Sequence, residues 1–100
     1  MLDSTALEVP PETSIGRRFC LARVASGRTQ KEMAAALGLS RDTYGLIEAD
    51  RRAPRRGEVL AAAHVTGQQF EFFGASFDEE GRVLPPPLSG VNQEEGSDAG

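Results

Sequence analysis

The sequence is poor in cysteine and histidine, with one of each, and it contains no long apolar run. The single Cys20 excludes an intramolecular disulfide framework and a cysteine-cluster zinc site, and it is typical of a reducing compartment. The single His64 excludes a two-histidine metal site. No stretch approaches the roughly 20 apolar residues that a membrane span requires, and residues 1–4 lack the basic start of a secretory signal. The composition predicts a small cytoplasmic protein that needs no metal or cofactor.

Catalytic signatures are also missing from the 100 residues, which suffice for one small domain. There is no nucleophile–base set, no pair of catalytic carboxylates and no phosphate-binding glycine loop. His64 is interpreted as a surface residue and Cys20 as a helix filler, and the acidic cluster 78–80 lacks the ligand spacing of a calcium loop. We therefore expect a protein that is not an enzyme.

The net charge of −4 hides an uneven distribution. Residues 15–73 carry ten basic and six acidic side chains, whereas residues 1–14 carry three acidic and no basic ones. Residues 74–100 carry six acidic side chains and one basic one. A basic middle between acidic ends is expected when a folded domain meets a polyanion. A solvated surface with charged tails explains the charge alone equally well.

Composition divides the chain into three parts. Residues 1–13 include two adjacent prolines and have no apolar period, which predicts a flexible lead-in. Residues 14–74 hold the periodic apolar segments of the predicted domain. In the extension, 75–100, apolar residues on both sides of Glu80-Gly81 are consistent with a short hairpin or edge strand over 76–84. The rest of the extension is proline-rich and acidic and is predicted to be disordered.

Five short helices are predicted in the domain, and they indicate a compact all-α fold. Their approximate ranges are 14–26, 30–37, 41–49, 55–66 and 69–74. Apolar residues at helical spacing indicate the inward faces. The residues predicted to form the core are Ile15, Phe19, Ala22, Met33, Ala34, Leu37, Leu39, Tyr44, Ile47, Val59, Leu60, Ala62, Ala63, Val65, Phe70 and Phe73.

The segment between the second and third helices contains a sharp turn. Thr29 and Glu32 have the spacing of a capping box at the start of the second helix. Gly38 ends that helix in the left-handed conformation that glycine tolerates best, and Ser40 caps the third helix. This is the arrangement of a helix-turn-helix, in which the N-terminal half of the second of the two helices enters the major groove of DNA. The outward residues there are Arg41, Asp42, Gly45 and Leu46.

These features together resemble the phage-repressor and Cro-type helix-turn-helix family, also called the xenobiotic-response-element family. The likeness covers about residues 15–73. It is carried by Ile15-Gly16, Arg23, Thr29-Gln30, the Ala34–Gly38–Ser40 turn, Ile47-Glu48, Arg51-Arg52-Ala53-Pro54 and Gly67 before Phe70. The resemblance implies a five-helix, lambda-repressor-like domain that binds double-stranded DNA sequence-specifically, usually as a dimer, and commonly represses transcription.

The resemblance also implies roles for individual residues. Arg41, Asp42 and Leu46 match base-reading positions. Arginine suits guanine, whereas Asp42 either accepts from a cytosine amine or only holds Arg41 in place. Gly45, beside them, either weakens the helix or lets it approach DNA closely. The positions matching phosphate contacts are Gln30, Thr29, Ser40, Thr43, Arg51, Arg52, Arg55 and Arg56.

Other positions carry structure or depart from the family pattern. Arg23 and Glu48 match an ion pair that joins the first and third helices, and they are assigned to stability. Arg28 and Arg56 stand where the family is usually apolar, so their stems are expected to pack while their charges reach water or phosphate. Asp50 replaces a usual glycine after the third helix and weakens the positive field of that loop.

The sequence therefore predicts a sequence-specific DNA-binding regulator, most simply a repressor that binds a palindromic operator as a dimer through its third helix. The dimer contacts are expected among Phe70, Phe72, Phe73 and Phe77, although Phe72 covers its own core in an equally good interpretation. The alternative function is that of an antitoxin or anti-regulator, which keeps this fold for protein interaction and grips a protein partner with residues 75–100.

Overall fold

The computed structural model describes residues 9–84 of the chain, and helices make up most of that range. The four α-helices are α1 (Ile15–Ala25), α2 (Gln30–Leu37), α3 (Arg41–Glu48) and α4 (Arg56–Thr66). Phe70–Phe73 form a 3-10 helix. Every segment lies within one residue of its predicted range, but the fifth is a single 3-10 turn because Gly74, in the left-handed conformation, ends it after 4 residues.

Short polar side chains start the first three helices. The Ser14 hydroxyl accepts a hydrogen bond from the Arg17 N–H at 3.0 Å. The capping box at the start of α2 is complete, with the two hydrogen bonds between Thr29 and Glu32 at 2.9 and 3.1 Å. Ser40 accepts from the Thr43 N–H at 3.1 Å. Each cap satisfies a backbone donor that the first helical turn leaves unpaired.

The core receives side chains from every helix. The largest fully buried side chains are Tyr44, Phe19, Phe73, Met33, Ile47 and Val59. The rings of Phe19 and Phe73 lie 4.9 Å apart and join α1 to the 3-10 helix. The predicted core is confirmed at these positions, but Leu60 is wrong, because its side chain is 41% exposed. Leu60 is four residues from Arg56 and from His64, on the outward stripe of α4.

α1 and α3 approach so closely that Gly16 has no room for a side chain. A Cβ at this position would lie 2.5 Å from the Ile47 carbonyl oxygen and 2.7 Å from that of Glu48. The Gly16 N–H donates to Asp50 Oδ1 at 2.9 Å. Asp50 itself adopts a left-handed conformation, with φ 61°, so its carboxylate turns back onto the start of α1. Asp50 thus joins the chain that follows α3 to the start of α1.

Residues 10–13, which were predicted to be flexible, form a turn held against the domain. The Thr13 N–H donates to the Pro10 carbonyl at 3.0 Å. The Arg18 guanidinium donates to three carbonyls of this turn and to the Phe72 carbonyl, at 2.8 to 3.3 Å. Arg18 binds this segment through its backbone carbonyls, and contacts to backbone carbonyls leave no pattern in the sequence. The remainder of the predicted lead-in, residues 1–8, is outside the described range.

The predicted hairpin is a short turn closed by one isolated bridge, and a second bridge joins it to Arg55, just before α4. Residues 9–84 contain no strand beyond these bridges. Phe77 pairs with Val83, and the Phe77 ring lies 6.0 Å from the ring of Phe70. The carboxylate of Asp78 accepts from the N–H groups of Glu80 and Arg82 at 2.9 Å. The acidic cluster therefore shapes the turn. The predicted disordered tail, 85–100, is outside the described residues.

Candidate nucleic-acid interface

The turn between α2 and α3 sets the direction of α3. Gly38 adopts φ 75°, a conformation that is strained for residues with a side chain. The Leu39 N–H then donates to the Ala34 carbonyl at 2.8 Å, and the Leu39 side chain packs against the core between the two helices. Tyr44 and Ile47 anchor the inner face of α3.

The outer face of α3 is open to solvent. The side chains of Arg41 and Asp42 are 63% and 95% exposed, and Leu46, a large apolar residue, is 44% exposed. Gly45 lies beside them with nothing within 4 Å of where its Cβ would be. The Arg41 guanidinium lies 3.8 Å from the Asp42 carboxylate, which is too long for a strong pairing in water. The outer face of α3 thus presents the guanidinium donors of Arg41, the carboxylate acceptor of Asp42 and the apolar side chain of Leu46.

Hydroxyl groups border this face at the start of α3. The Ser40 hydroxyl donates to Thr43 Oγ1 at 2.9 Å while it accepts from the Thr43 N–H. Thr43 is thereby left with a hydroxyl proton to donate. The positive end of the α3 dipole lies at the same place, and both groups suit an anion such as a backbone phosphate. Thr29 lies at the start of α2, where its hydroxyl accepts from the Glu32 N–H.

A polar cluster supports α3 from behind. Glu48 accepts from Arg23 Nε at 2.7 Å and Nη2 at 3.3 Å, and from Gln30 Nε2 at 3.0 Å. Its side chain is 8% exposed. The structure therefore places Gln30 against the end of α3, where one of its amide protons is used for support and the other is left for a further acceptor.

Ionisation of this cluster follows from its contacts. Burial disfavours the charged form of Glu48, but hydrogen bonds from Arg23 and Gln30 outweigh burial, and the pKa of Glu48 lies below its ordinary value. Burial raises the pKa of Tyr44, and the nearby Glu48 carboxylate raises it further. The buried Tyr44 hydroxyl forms no hydrogen bond of good geometry within the described part of the chain. Arg23 and Glu48 are thus an ion pair at neutral pH.

The four arginines that follow α3 have different surroundings. Arg51 and Arg55 are exposed. Arg52 differs from the expectation of an open phosphate ligand, because its Nη1 and Nη2 bind the two Glu58 carboxylate oxygens at 2.9 and 3.1 Å. Burial opposes the charge on Glu58, yet these bonds lower its pKa. The guanidinium of Arg56 lies over the Phe70 ring, 5.9 Å from its centre.

The phenylalanines proposed for a dimer contact serve mainly the core of their own chain. Phe73 is fully buried and presents no surface to a second copy, which corrects the expectation for this residue. Phe72 is half-buried with its ring edge-on to Phe73 at 5.3 Å, and Phe70 and Phe77 also pack on the core. The exposed large apolar residues among those described are Val24, Leu46, Leu60 and Leu84.

Other candidate sites are sparse in residues 9–84. Within that range no group of three potential metal ligands comes together, and no helix is long and apolar enough to cross a membrane. His64 is exposed, and Cys20 Sγ lies 3.8 Å from Arg23 Nη2. Sequence reasoning overlooked Arg82, which the structure brings beside Arg55. Its only signal was an isolated basic residue in an acidic extension.

Comparisons with known proteins agree with this geometry. The family model of a helix-turn-helix domain matches residues 14–69. The crystal structure of a hypothetical transcription factor, NHTF, from Neisseria is similar to the chain with a TM-score of 0.56 and 22% sequence identity. The match covers 67% of this chain and 82% of that one, and it supports the fold. No curated protein sequence matches the chain.

Proposed function

Because the chain belongs to the helix-turn-helix domain family, we propose that it is a sequence-specific repressor that binds a palindromic operator as a dimer in the cytoplasm. The observation that carries the proposal is the outer face of α3. Arg41, Asp42 and Leu46 are exposed there, while the inner face of the same helix is locked into the core by Tyr44 and Ile47. A helix that is anchored in the core and exposes a donor, an acceptor and an apolar side chain suits the major groove.

Specificity and affinity are assigned to different groups. Arg41 is proposed to donate to guanine O6 and N7, a bidentate contact worth about 1–3 kcal/mol of discrimination. Thr43 and Arg51 are proposed to contact backbone phosphates, which position the helix without reading the sequence. Arg52 is proposed to act indirectly, since its bonds to Glu58 hold the loop that presents Arg51.

Selection from a random duplex pool, followed by a salt titration of the selected duplex, tests this function. We expect one sequence to be enriched, with binding that weakens steeply as salt rises. Arg41→Ala is expected to relax the preference at one base pair. Arg51→Gln is expected to weaken all duplexes alike and to reduce the salt slope by about 0.9. A pool with no enriched sequence and weak binding at low salt would contradict the proposal.

The dimer is proposed because one recognition helix covers only a few base pairs. A two-fold dimer reads two half-sites about one helical turn, ~34 Å, apart. The surface around the 3-10 helix and the hairpin, where Phe72 and Leu84 are partly or largely exposed, is the candidate contact. Sedimentation of the free protein and of its complex with the selected duplex checks this point. A monomer in both samples would remove the dimer while leaving DNA binding in place.

A second candidate function is protein interaction through the extension. The acidic charge of the extension favours this function. Residues 85–100 carry three acidic side chains and no basic one, after a run of three prolines. Such a segment suits a basic or proline-recognising protein partner, as in an antitoxin or anti-regulator. A chain that enriches no DNA sequence but loses a partner when residues 85–100 are removed would favour this function.

A further inference from the structure

Two arginines face each other where the hairpin meets the start of α4. Arg55 and Arg82 form an antiparallel bridge, and the Arg56 N–H donates to the Gly81 carbonyl at 3.0 Å. This hydrogen bond joins the neighbours of Arg55 and Arg82, so the two arginines themselves are a non-hydrogen-bonded pair of the ladder. In such a pair the two Cα atoms are only about 4.5 Å apart. Directly opposed residues project to the same side of the ladder.

The placement of Arg55 opposite Arg82 is unfavourable unless a negatively charged group compensates the two guanidinium charges. Like charges opposite each other destabilise a ladder, and both residues are exposed. The ion pairs of residues 9–84 include neither guanidinium. Two carboxylates of the adjoining elements have other partners, since Glu58 binds Arg52 and the Arg55 N–H, and Asp78 Oδ1 accepts from backbone N–H groups of its own turn. The charge of the pair is therefore left for a group outside the fold.

The Arg55–Arg82 pair lies close to the loop that follows α3. Arg55, Arg82 and Val83 line a shallow groove together with Ala53 and Pro54. Val83 and the same loop also line the adjacent groove, which includes Arg51, immediately after α3. The two grooves share the loop that follows α3. A nucleic-acid strand that touches Arg51 therefore has the paired arginines next along its path.

We propose that Arg55 and Arg82 together bind one phosphodiester group of the DNA backbone, outside the bases read by α3. This inference rests on the proposed function. One phosphate between two guanidinium groups removes their repulsion and receives several charge-assisted hydrogen bonds. The hairpin then has a purpose beyond packing, because it presents Arg82 beside the helix-turn-helix and lengthens the DNA footprint.

The test uses the full chain and the duplex obtained by selection. Arg82→Gln is expected to weaken binding about 5- to 10-fold at 100 mM salt, for selected and unselected duplexes alike, and to reduce the salt slope by less than about 0.9, because Arg55 still contacts the phosphate. Arg55→Gln is expected to do the same. The double variant should reduce the slope by about 0.9 in total, because the two residues neutralise a single phosphate. Arg17→Gln, which removes an exposed charge on α1, is the matched control and should change the slope little.

Thermal unfolding separates binding from a structural role. If Arg82 only supported the fold, its removal would lower the Tm. We expect Arg82→Gln to have a Tm at 50 mM salt equal to or above that of the wild type, since repulsion is relieved. A lowered Tm with unchanged DNA affinity would overturn the inference, and so would a slope reduction of about 1.8 in the double variant, the value for two separate phosphates. If Arg41→Ala relaxes base preference while Arg82→Gln has no effect on binding, the proposed function stands and this inference fails. If the wild type enriches no sequence, both fail.

Discussion

Gly16 and Asp50 control the spacing of α1 and α3 at the scale of single residues. The backbone of α1 lies against the last carbonyls of α3, and only a hydrogen atom fits at the Gly16 Cα. The Asp50 carboxylate receives the Gly16 N–H at the positive end of α1, where an anionic acceptor is favourable. A small residue and a local acceptor thus decide the position of the helix that carries Arg41.

Gly16→Ala is expected to lower the free energy of unfolding by about 1–3 kcal/mol, because the added methyl group would force α1 away from α3. Denaturant unfolding followed by circular dichroism measures the change. Gly57→Ala is the matched control, since a Cβ at that exposed position in α4 would meet nothing within 4 Å. It is expected to raise stability by up to about 1 kcal/mol through helix propensity. Equal effects of the two variants would contradict the close approach.

At the scale of helices, the ion pair of Arg23 and Glu48 joins α1 to α3, and Gln30 adds α2 to the same carboxylate. Three helices therefore share one acceptor. Removing one partner of a buried pair leaves the other charge without compensation, which typically costs ~3–5 kcal/mol. Loss of Glu48 should accordingly unfold or loosen the whole helix-turn-helix instead of weakening DNA binding alone.

Acid should unfold the protein in part through Glu48. Because its pKa in the folded chain lies below the value of about 4.5 expected in the unfolded chain, its contribution is fully present above pH 4.5 and is lost as the pH falls through the lowered pKa. Urea unfolding between pH 3 and pH 7 measures this. Glu48→Gln should be less stable at pH 7, and its stability should fall less on acidification than that of the wild type. Parallel curves for the two proteins would contradict this origin.

Gly45 lies on the outer face of α3, which we propose to meet DNA. Gly45→Ala is expected to stabilise the free protein by about 1 kcal/mol, since glycine is a poor residue inside a helix and a Cβ there would meet no atom within 4 Å. The same methyl group would lie between α3 and the duplex, so we expect weaker DNA binding. Unfolding and affinity measured on one preparation give both quantities. A more stable variant with unchanged affinity would place Gly45 outside the contact.

At the scale of the whole molecule, charge is divided between the described domain and the segment after it. Residues 9–84 contain all 11 basic side chains, whereas residues 85–100 contain three acidic ones and no basic one. An acidic segment on the same chain competes with DNA at a high effective concentration. Residues 75–84 belong with the domain, because the Gly81 carbonyl accepts from the Arg56 N–H at the start of α4 and Phe77 packs beside Phe70.

A chain that ends at Leu84 should therefore keep its Tm and bind the selected duplex a few-fold more tightly at 50 mM salt, with the difference vanishing at high salt. A chain that ends at Gly74 should instead have a lower Tm, because it loses the contact of Phe77 with Phe70. Thermal unfolding and a salt titration compare the two. If the chain that ends at Leu84 binds DNA with unchanged affinity but no longer binds a protein partner, residues 85–100 serve to bind that partner.

Much of the fold was predictable because its signals are local. Helix periodicity, the Thr29–Glu32 capping box and the turn at Gly38 each depend on residues within one or two turns of chain. The exposure of Arg41 and Asp42 follows from the same periodicity, once Tyr44 and Ile47 are placed inward. The sequence by itself thus determined the four α-helices, most of the core and the outward face of α3.

Contacts between distant segments were decided only by the tertiary structure. Arg52 binds Glu58, Arg18 binds backbone carbonyls from two segments, and Arg82 lies opposite Arg55. An arginine looks the same in sequence whether it meets a carboxylate, a carbonyl or solvent. Its partner depends on which elements the packed core brings within hydrogen-bond distance, about 3 Å. Local chemistry determined the helices, and the packing of those helices decided which charges are paired and which stay exposed.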